Sequence, residues 1–279
     1  MLQTLEFITR HPLTRERPLS ALARFVRWQA ESRIKDEVTF DWIEGAKLIA
    51  KNGMTGATGN IYCGLHEFAD MTFLLHFLRQ GDLFVDVGAN IGSYTVLASA
   101  VCGAETIAIE PDPITIEALK RNVSINGLGR AVTTVEAAVG RSEGEVSFTV
   151  GRDTVNQVAA DGDQNTRRVR VLRLDDLLAG KSPAFIKLDV EGYEPEVLAG
   201  ASETLRNPSL LALETECRDA DILLALKAAG FKEYAYEAFS RSLSQQQGGS
   251  SNALYIRDFD SVLRRINTAP RRRVLHRML

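Results

Sequence analysis

"LFVDVGANIGSYTVLASAV", residues 83–101, reads as a buried strand, a tight turn and a helix in immediate succession. Leu83, Phe84, Val85 and Val87 make the short apolar run of a strand buried on both faces of a parallel sheet. Asp86 interrupts that run near its tip, and Gly88 and Gly92 then bracket Asn90. Glycine is needed where the chain enters left-handed conformations or admits another group closely, because a Cβ would collide. Asn visits the left-handed region more readily than other non-glycine residues, so Asn90 is expected to turn the chain as a glycine would.

Working outward, the alternation continues. "ETIAIE" (105–110) is a second strand and "PITIEALKRNVSINGL" (113–128) a second helix, with Pro113 in its first turn and Asn126-Gly127 at its exit. Ile116, Leu119 and Val123 share one helical face. "AVTTVEAAV" (131–139), "AFIKLDVEG" (184–192) and "LLALETE" (210–216) are further strands, and "DILLALKAAG" (221–230) a further helix. Such alternation predicts a doubly wound, mostly parallel α/β sheet with right-handed crossovers. "GEVSFTV" (144–150) and "VRVLRL" (169–174) are added strands around a polar excursion. "FKEYAYEA" (231–238) and "NALYI" (252–256), joined through "SQQQGGSS", suit an antiparallel return as the last strands of seven. Upstream, "LSALARFVRW" (19–28) and "MTFLLHFLRQG" (71–81) have helical spacing, whereas "GMTGATGNIYCG" (53–64) reads as a loop or short hairpin. The expected division is a helical N-terminal extension over 1–63, the α/β domain over 64–257 and a basic tail over 258–279.

The 279 residues, 45% hydrophobic and 25% charged, suffice for one large core. A net charge of −3 gives no whole-molecule footprint for nucleic acid, and none is expected as a partner. Arginines crowd both ends, from Arg10 to Arg33 and from Arg264 to Arg277. Such runs are usually solvated and frayed, the sharper alternative being peripheral contact with a membrane surface or polyanion. Cys63, Cys102 and Cys217 lack metal-site or disulfide spacing, and no long uncharged apolar run is present, so a soluble cytoplasmic protein is expected.

The glycine turn selects its ligand by elimination. Counting from Gly88, a dinucleotide fingerprint would need glycines where Asn90 and Ser93 stand, and a Walker A loop would end in Gly-Lys-Ser/Thr. The looser D/E-x-G-x-G-x-G loop that binds S-adenosylmethionine fits better, with Asn90 in the middle. Asp86 would repel a pyrophosphate but can accept from the α-ammonium of a methionine moiety. Glu110, ending "IAIE", can receive two ribose hydroxyls, and Glu136 lies where the third strand would flank the adenine.

Taken together, "FVDVGANIGSYTVLAS", "IEPDP", "LKRNVSING" and above all "IKLDVEGYEPEVLAGA" (186–201) resemble the FkbM family of methyltransferases, over roughly Gly64 to Ile256. The resemblance implies a class I methyltransferase fold that binds S-adenosylmethionine. It also implies O-methylation of a sugar, polysaccharide or glycosylated secondary-metabolite hydroxyl. The cofactor set is then Asp86, Gly88, Asn90, Gly92, Glu110, Glu136 and Asp189, with Glu67 of "GLHEF" covering the cofactor.

Alternation sends Lys187 and Asp189 to one strand face, where they can pair, with Glu191 just beyond. A charged pair in a buried strand costs too much to keep without a partner or a function. Asp189, Glu191 or His66 could take the acceptor proton, and Lys187 completes the catalytic set. Metal assistance stays open, with Asp189 and Glu214 or Glu216 offering oxygens to Mg²⁺. Asn252 could contact the acceptor or cap a turn. The alternatives are a nucleic-acid methyltransferase, disfavoured because "DVEG" stands where a base-holding N-P-P-Y loop would be, and a non-catalytic nucleoside-binding protein.

Overall fold

The computed structural model describes residues 2–51, 53–149, 157–158, 165–245 and 252–279. Most of the polar excursion over 151–168 and most of the "SQQQGGSS" connection lie outside those residues.

Helices α1 (Leu2–Arg10) and α2 (Pro18–Ile34) lead into a hairpin, β1 (Val38–Asp41) and β2 (Lys47–Ala50), then α3 (Thr55–Cys63) and α4 (Phe68–Phe77). The α/β alternation follows as β3 (Leu83–Val87), α5 (Ser93–Val96) continued by a π-helical turn (Leu97–Val101), β4 (Glu105–Ile109), α6 (Pro113–Ile125) and β5 (Val132–Val135). Next come β6 (Ala138–Val139), β7 (Gly144–Thr149), β8 (Thr166–Leu172), α7 (Leu174–Leu177), β9 (Pro183–Leu188), α8 (Glu194–Ala199), α9 (Ser202–Arg206) and β10 (Ala212–Thr215). The chain closes with α10 (Ala220–Ala228), β11 (Lys232–Glu237), β12 (Ser242–Gln245), β13 (Ala253–Ile256), α11 (Phe259–Thr268), β14 (Arg273–Val274) and β15 (Arg277–Met278).

The main sheet runs β12-β11-β13-β10-β9-β3-β4-β5. β3 pairs in parallel with β4 on one side and β9 on the other, so the winding direction reverses at β3. In such sheets a ligand finds its crevice beyond the strand ends at that reversal. β13 is antiparallel to both β10 and β11, as the return connection requires. The seven expected strands are joined by an eighth, β12, which pairs antiparallel with β11. Its sequence, "SLSQ", is short and largely exposed and so carries no apolar alternation to announce it. β6, β7 and β8 form a separate three-stranded sheet.

Alternating residues feed two cores. Phe84 and Phe185 pack on one sheet face with Phe73 and Phe77 of α4. Val85, Val87, Ile186 and Leu188 pack on the other, with Val197 and Leu198 of α8.

Two expectations are corrected. Residues 55–63 are helical, not loop or hairpin, although Gly56 and Gly59 are poor helix formers. A Cβ on Gly59 would lie 2.5 Å from the His66 ring, so the glycine is what lets that ring pack against the helix. The basic C-terminal segment is not frayed. In α11, Val262 and Ile266 are fully buried, and Leu279 is 5% exposed. Arg272 and Arg277 form ion pairs with Glu44 and Glu16, which tie the C-terminal hairpin to the N-terminal segment.

Candidate active site

The glycine turn adopts the backbone its sequence required. Gly88, Asn90 and Gly92 have φ of +79°, +50° and +89°. A Cβ on Gly88 would stand 1.8 Å from the Asp189 carbonyl oxygen, and one on Gly92 2.3 Å from Leu119 Cδ1. Gly88 thus lets β3 and β9 converge at their tips. The backbone N–H groups of Gly88 and Ala89 donate to the Ile109 carbonyl at 3.0 and 2.9 Å, folding the loop back over the end of β4.

Glu110 holds this loop. Its Oε2 accepts from Asn90 N–H at 2.9 Å and its Oε1 from Asp112 N–H at 2.9 Å. A carboxylate offers about four acceptor positions, so each oxygen keeps capacity for a ribose hydroxyl. Burial, offset in part by those two N–H bonds, raises the Glu110 carboxyl to about 7.

Below the loop lies a row of buried charges. In register, Lys187 of β9 stands beside Asp86 of β3 on one side and Glu214 of β10 on the other. Two residues on, Asp189 Oδ2 accepts from the Lys187 Nζ at 2.7 Å. The Tyr94 ring covers the ammonium, its centroid 4.5 Å from Nζ, and the Tyr94 hydroxyl donates to Glu67 Oε2 at 2.6 Å. Burial opposes the charge on Lys187, but Asp189, Glu67, Glu214 and Asp86 outweigh it and hold its pKa above the usual lysine value. Thr95 donates to Asp86 Oδ2 at 2.6 Å. Burial nevertheless dominates at Asp86 and, against the pull of Lys187, raises its carboxyl to about 6.

Glu67, Asp86, Tyr94, Glu110, Lys187 and Asp189 line a cavity of about 280 Å³ at the strand tips, close to the lower end of small-molecule sites. Of the residues singled out from sequence, the cavity gathers His66, Glu67, Asp86, Gly88, Asn90, Glu110, Lys187, Asp189 and Glu191. Gly92 shapes the turn from outside the lining. Glu136 is exposed and outside the lining, whereas Ala137, Ala138 and Val139 beside it form a wall. The strand ends at Val135, and the chain then turns the small residues inward. Asn252 donates to Asp70 Oδ2 at 3.1 Å.

Glu214 is 2% exposed and stands next to Lys187 in the strand register, its Oε1 buried without a hydrogen-bond partner. Among the described residues no group of three or more His, Cys, Asp or Glu could hold a metal ion. Glu216, past the tip of β10, does line the cavity.

Several contributors were not visible beforehand. Tyr94 and Thr95 lie in α5 directly after the glycine turn, and their placement in the first helical turn after a strand tip was the available signal. Glu194 accepts from Val190 and Gly192 N–H at 3.1 and 3.3 Å and so shapes the "DVEG" bend. Phe148 and Val158 close the cavity from the small sheet, a contact across a long excursion that has no local signature. The residues therefore fit a zwitterionic nucleoside: a carboxylate for an ammonium, a glycine turn without obstructing Cβ atoms, an acid for the ribose and a small-residue wall for the base.

The family profile described as Methyltransferase FkbM domain matches residues 86–233, more than half of the chain. The hexuronic acid methyltransferase AglP of Haloferax volcanii is 28% identical over 144 residues, covering 50% of this chain and 59% of that protein. The match thus spans less than two thirds of that relative's length. The 31-O-demethyl-FK506 methyltransferase FkbM of Streptomyces tacrolimicus is 28% identical over 205 residues, covering 59% of this chain and 78% of that one. The methyltransferase sdnD of Sordaria araneosa is 25% identical over 226 residues, 64% of this chain and 87% of it.

Proposed function

Because the chain belongs to the FkbM-domain methyltransferases, we propose that it is an S-adenosylmethionine-dependent O-methyltransferase whose acceptor is a sugar, polysaccharide or glycosylated secondary metabolite. The observation that carries this reading is the pairing of the glycine turn with the Asp86–Lys187–Asp189 row on one cavity wall. Relatives named for a hexuronic acid and for an FK506 derivative support a hydroxyl-rich acceptor.

S-adenosylmethionine, when bound, would supply a methyl group on sulfonium sulfur for the acceptor oxygen, with the C–S electron pair left on sulfur. The chain's own residues orient and deprotonate. Asp86 and Glu110 would hold the two polar ends of the cofactor, and the turn from Gly88 to Gly92 would admit its middle. Lys187 anchors one oxygen of Asp189 at 2.7 Å, leaving the other to accept the acceptor's proton. Alignment supplies much of the acceleration, and a positioned base adds roughly 10²–10⁴-fold. His66 is an alternative base, but its ring is held by Phe7 and by α3 through Gly59, which suits it better to roofing the cavity. The acidic lining gives a phosphodiester backbone no cationic track, which weighs against a nucleic-acid acceptor. The three cysteines are free and buried, as in a reducing compartment such as the cytoplasm.

Incubation with methyl-labelled S-adenosylmethionine and a panel of glycosides and glycans, with and without chelator, tests the assignment. Label should enter a hydroxyl-bearing acceptor. Absence of transfer to every acceptor, together with failure to bind S-adenosylhomocysteine, would remove it. Activity that survives chelator would leave Asp189, not a metal, as the activating group.

A further inference from the structure

The cavity carries more negative charge than the cofactor uses. Glu67, Asp86, Glu110, Asp189, Glu191 and Glu216 line it, and among the described lining residues Lys187 is the one lysine or arginine. That ammonium is already committed to Asp189 at 2.7 Å and is flanked by Asp86 and Glu214. A single cation thus faces an excess of carboxylates.

The acids are also spread in a definite order. Glu110 follows β4, Asp86 lies at the end of β3, Glu191 follows β9 and Glu216 follows β10. Neighbouring strands lie about 4.8 Å apart, so the β4 and β10 tips are separated by roughly 14 Å across three spacings. The glycine turn and Glu110 commit the β3–β4 end to the nucleoside. Glu191 and Glu216, at the β9–β10 end, therefore face the second molecule. Burial first, then neighbouring carboxylates led by Asp189, pushes both side chains above the usual carboxyl range. Burial is the larger cause; the neighbouring carboxylates add to it, and Lys187 opposes the rise without cancelling it.

Resting on the methyl-transfer reading above, we propose that the β9–β10 end is the acceptor subsite and that it takes a polyol bearing an ammonium group, of the amino-sugar class, in preference to a uronate. A carboxylate-bearing acceptor would bring a like charge into a partly desolvated, already acidic cavity, and rejection by such repulsion is a common source of specificity. An ammonium held between Glu191 and Glu216 keeps its proton and has no lone pair to attack with. It serves as a handle, and an adjacent hydroxyl stays the nucleophile.

The test uses the full chain loaded with S-adenosylhomocysteine and three probes: methyl glucosaminide, methyl glucoside and methyl glucuronide. Calorimetric titration should give the glucosaminide about tenfold or greater affinity over the glucuronide, with the glucoside between them. In the double variant Glu191→Gln/Glu216→Gln that ratio should shrink by about threefold or more. Should the double variant not fold, the wild-type ratio still decides. Equal affinities, no binding of any probe, or a preference for the glucuronide overturns the proposal. Failure of wild-type protein to bind S-adenosylhomocysteine would instead remove the methyl-transfer reading, and this subsite with it.

Discussion

Asp86 and Asp189 lie at the tips of neighbouring strands, yet their surroundings differ, and the proposed function gives them different roles. Asp86 is 1% exposed, bonded to Thr95, and meets a ligand only from the cavity side. Asp189 is 40% exposed in its side chain and anchored by Lys187. Accordingly, Asp86→Ala should weaken S-adenosylhomocysteine binding by about tenfold or more, the loss of a charge-assisted hydrogen bond. Asp189→Asn should leave that affinity within a few fold but lower kcat by roughly 10²-fold or more. Unchanged turnover at saturating acceptor would take Asp189 out of the chemistry. On the proposed reading, cofactor binding draws on both carboxylates in ionised form, and burial raises Asp86 to about 6 and Glu110 to about 7. Affinity for S-adenosylhomocysteine should therefore climb from about pH 5 to about pH 8 as these two groups lose their protons, with Asp86→Asn removing the lower limb. A flat profile would contradict it. Thermal stability is the wrong readout for this. Asp86 and Glu110 make the folded state lose stability as pH rises from about 4 to about 7, whereas His11 and His76, lowered chiefly by burial to about 4 and about 3, make it gain up to about 6.5.

Among the elements, α6 does more than cross over the sheet. Fully buried Asn122 accepts from Ile49 N–H at 2.7 Å and donates to the Ile91 carbonyl at 2.8 Å, joining the β1–β2 hairpin to the glycine turn. Asn126 repeats the contact with both backbone groups of Lys47 at 2.8 Å. Asn122→Ala should cost about 1–3 kcal/mol, because it strands a buried donor and a buried acceptor. It should also reduce S-adenosylhomocysteine affinity, since the turn loses its brace; a denaturation midpoint and a binding isotherm on one preparation would show both. The helix itself was readable from Pro113, its apolar face and its Asn-Gly exit. The hairpin it supports was not, because four-residue strands at 38–41 and 47–50 are too short to show a period. The same limit hid β12.

Across the whole molecule, the two chain ends meet. Arg272 and Arg277 pair with Glu44 and Glu16, Val274 and Leu275 close over Gly64, and α11 packs on α4 through Val262 and Ile266. Removing residues 271–279 should expose this contact, lower the melting temperature and open the first 60 residues to limited proteolysis, while an unchanged digestion pattern would show that the N-terminal segment stands without it. Of the described residues, no helix is long and apolar enough to cross a membrane. The sequence by itself determined the parallel sheet, the turn at 86–92 and the Lys187–Asp189 pair, since each follows from short-range steric rules or from the two-residue alternation of a strand. Only the tertiary structure decided that Glu214 is buried beside Lys187, that Glu136 stays outside, that Phe148 closes the cavity and that the arginine-rich ends are folded. Those outcomes depend on strand register and on contacts between residues far apart in the chain, where burial and charge pairing outweigh local preference and leave no local pattern to read.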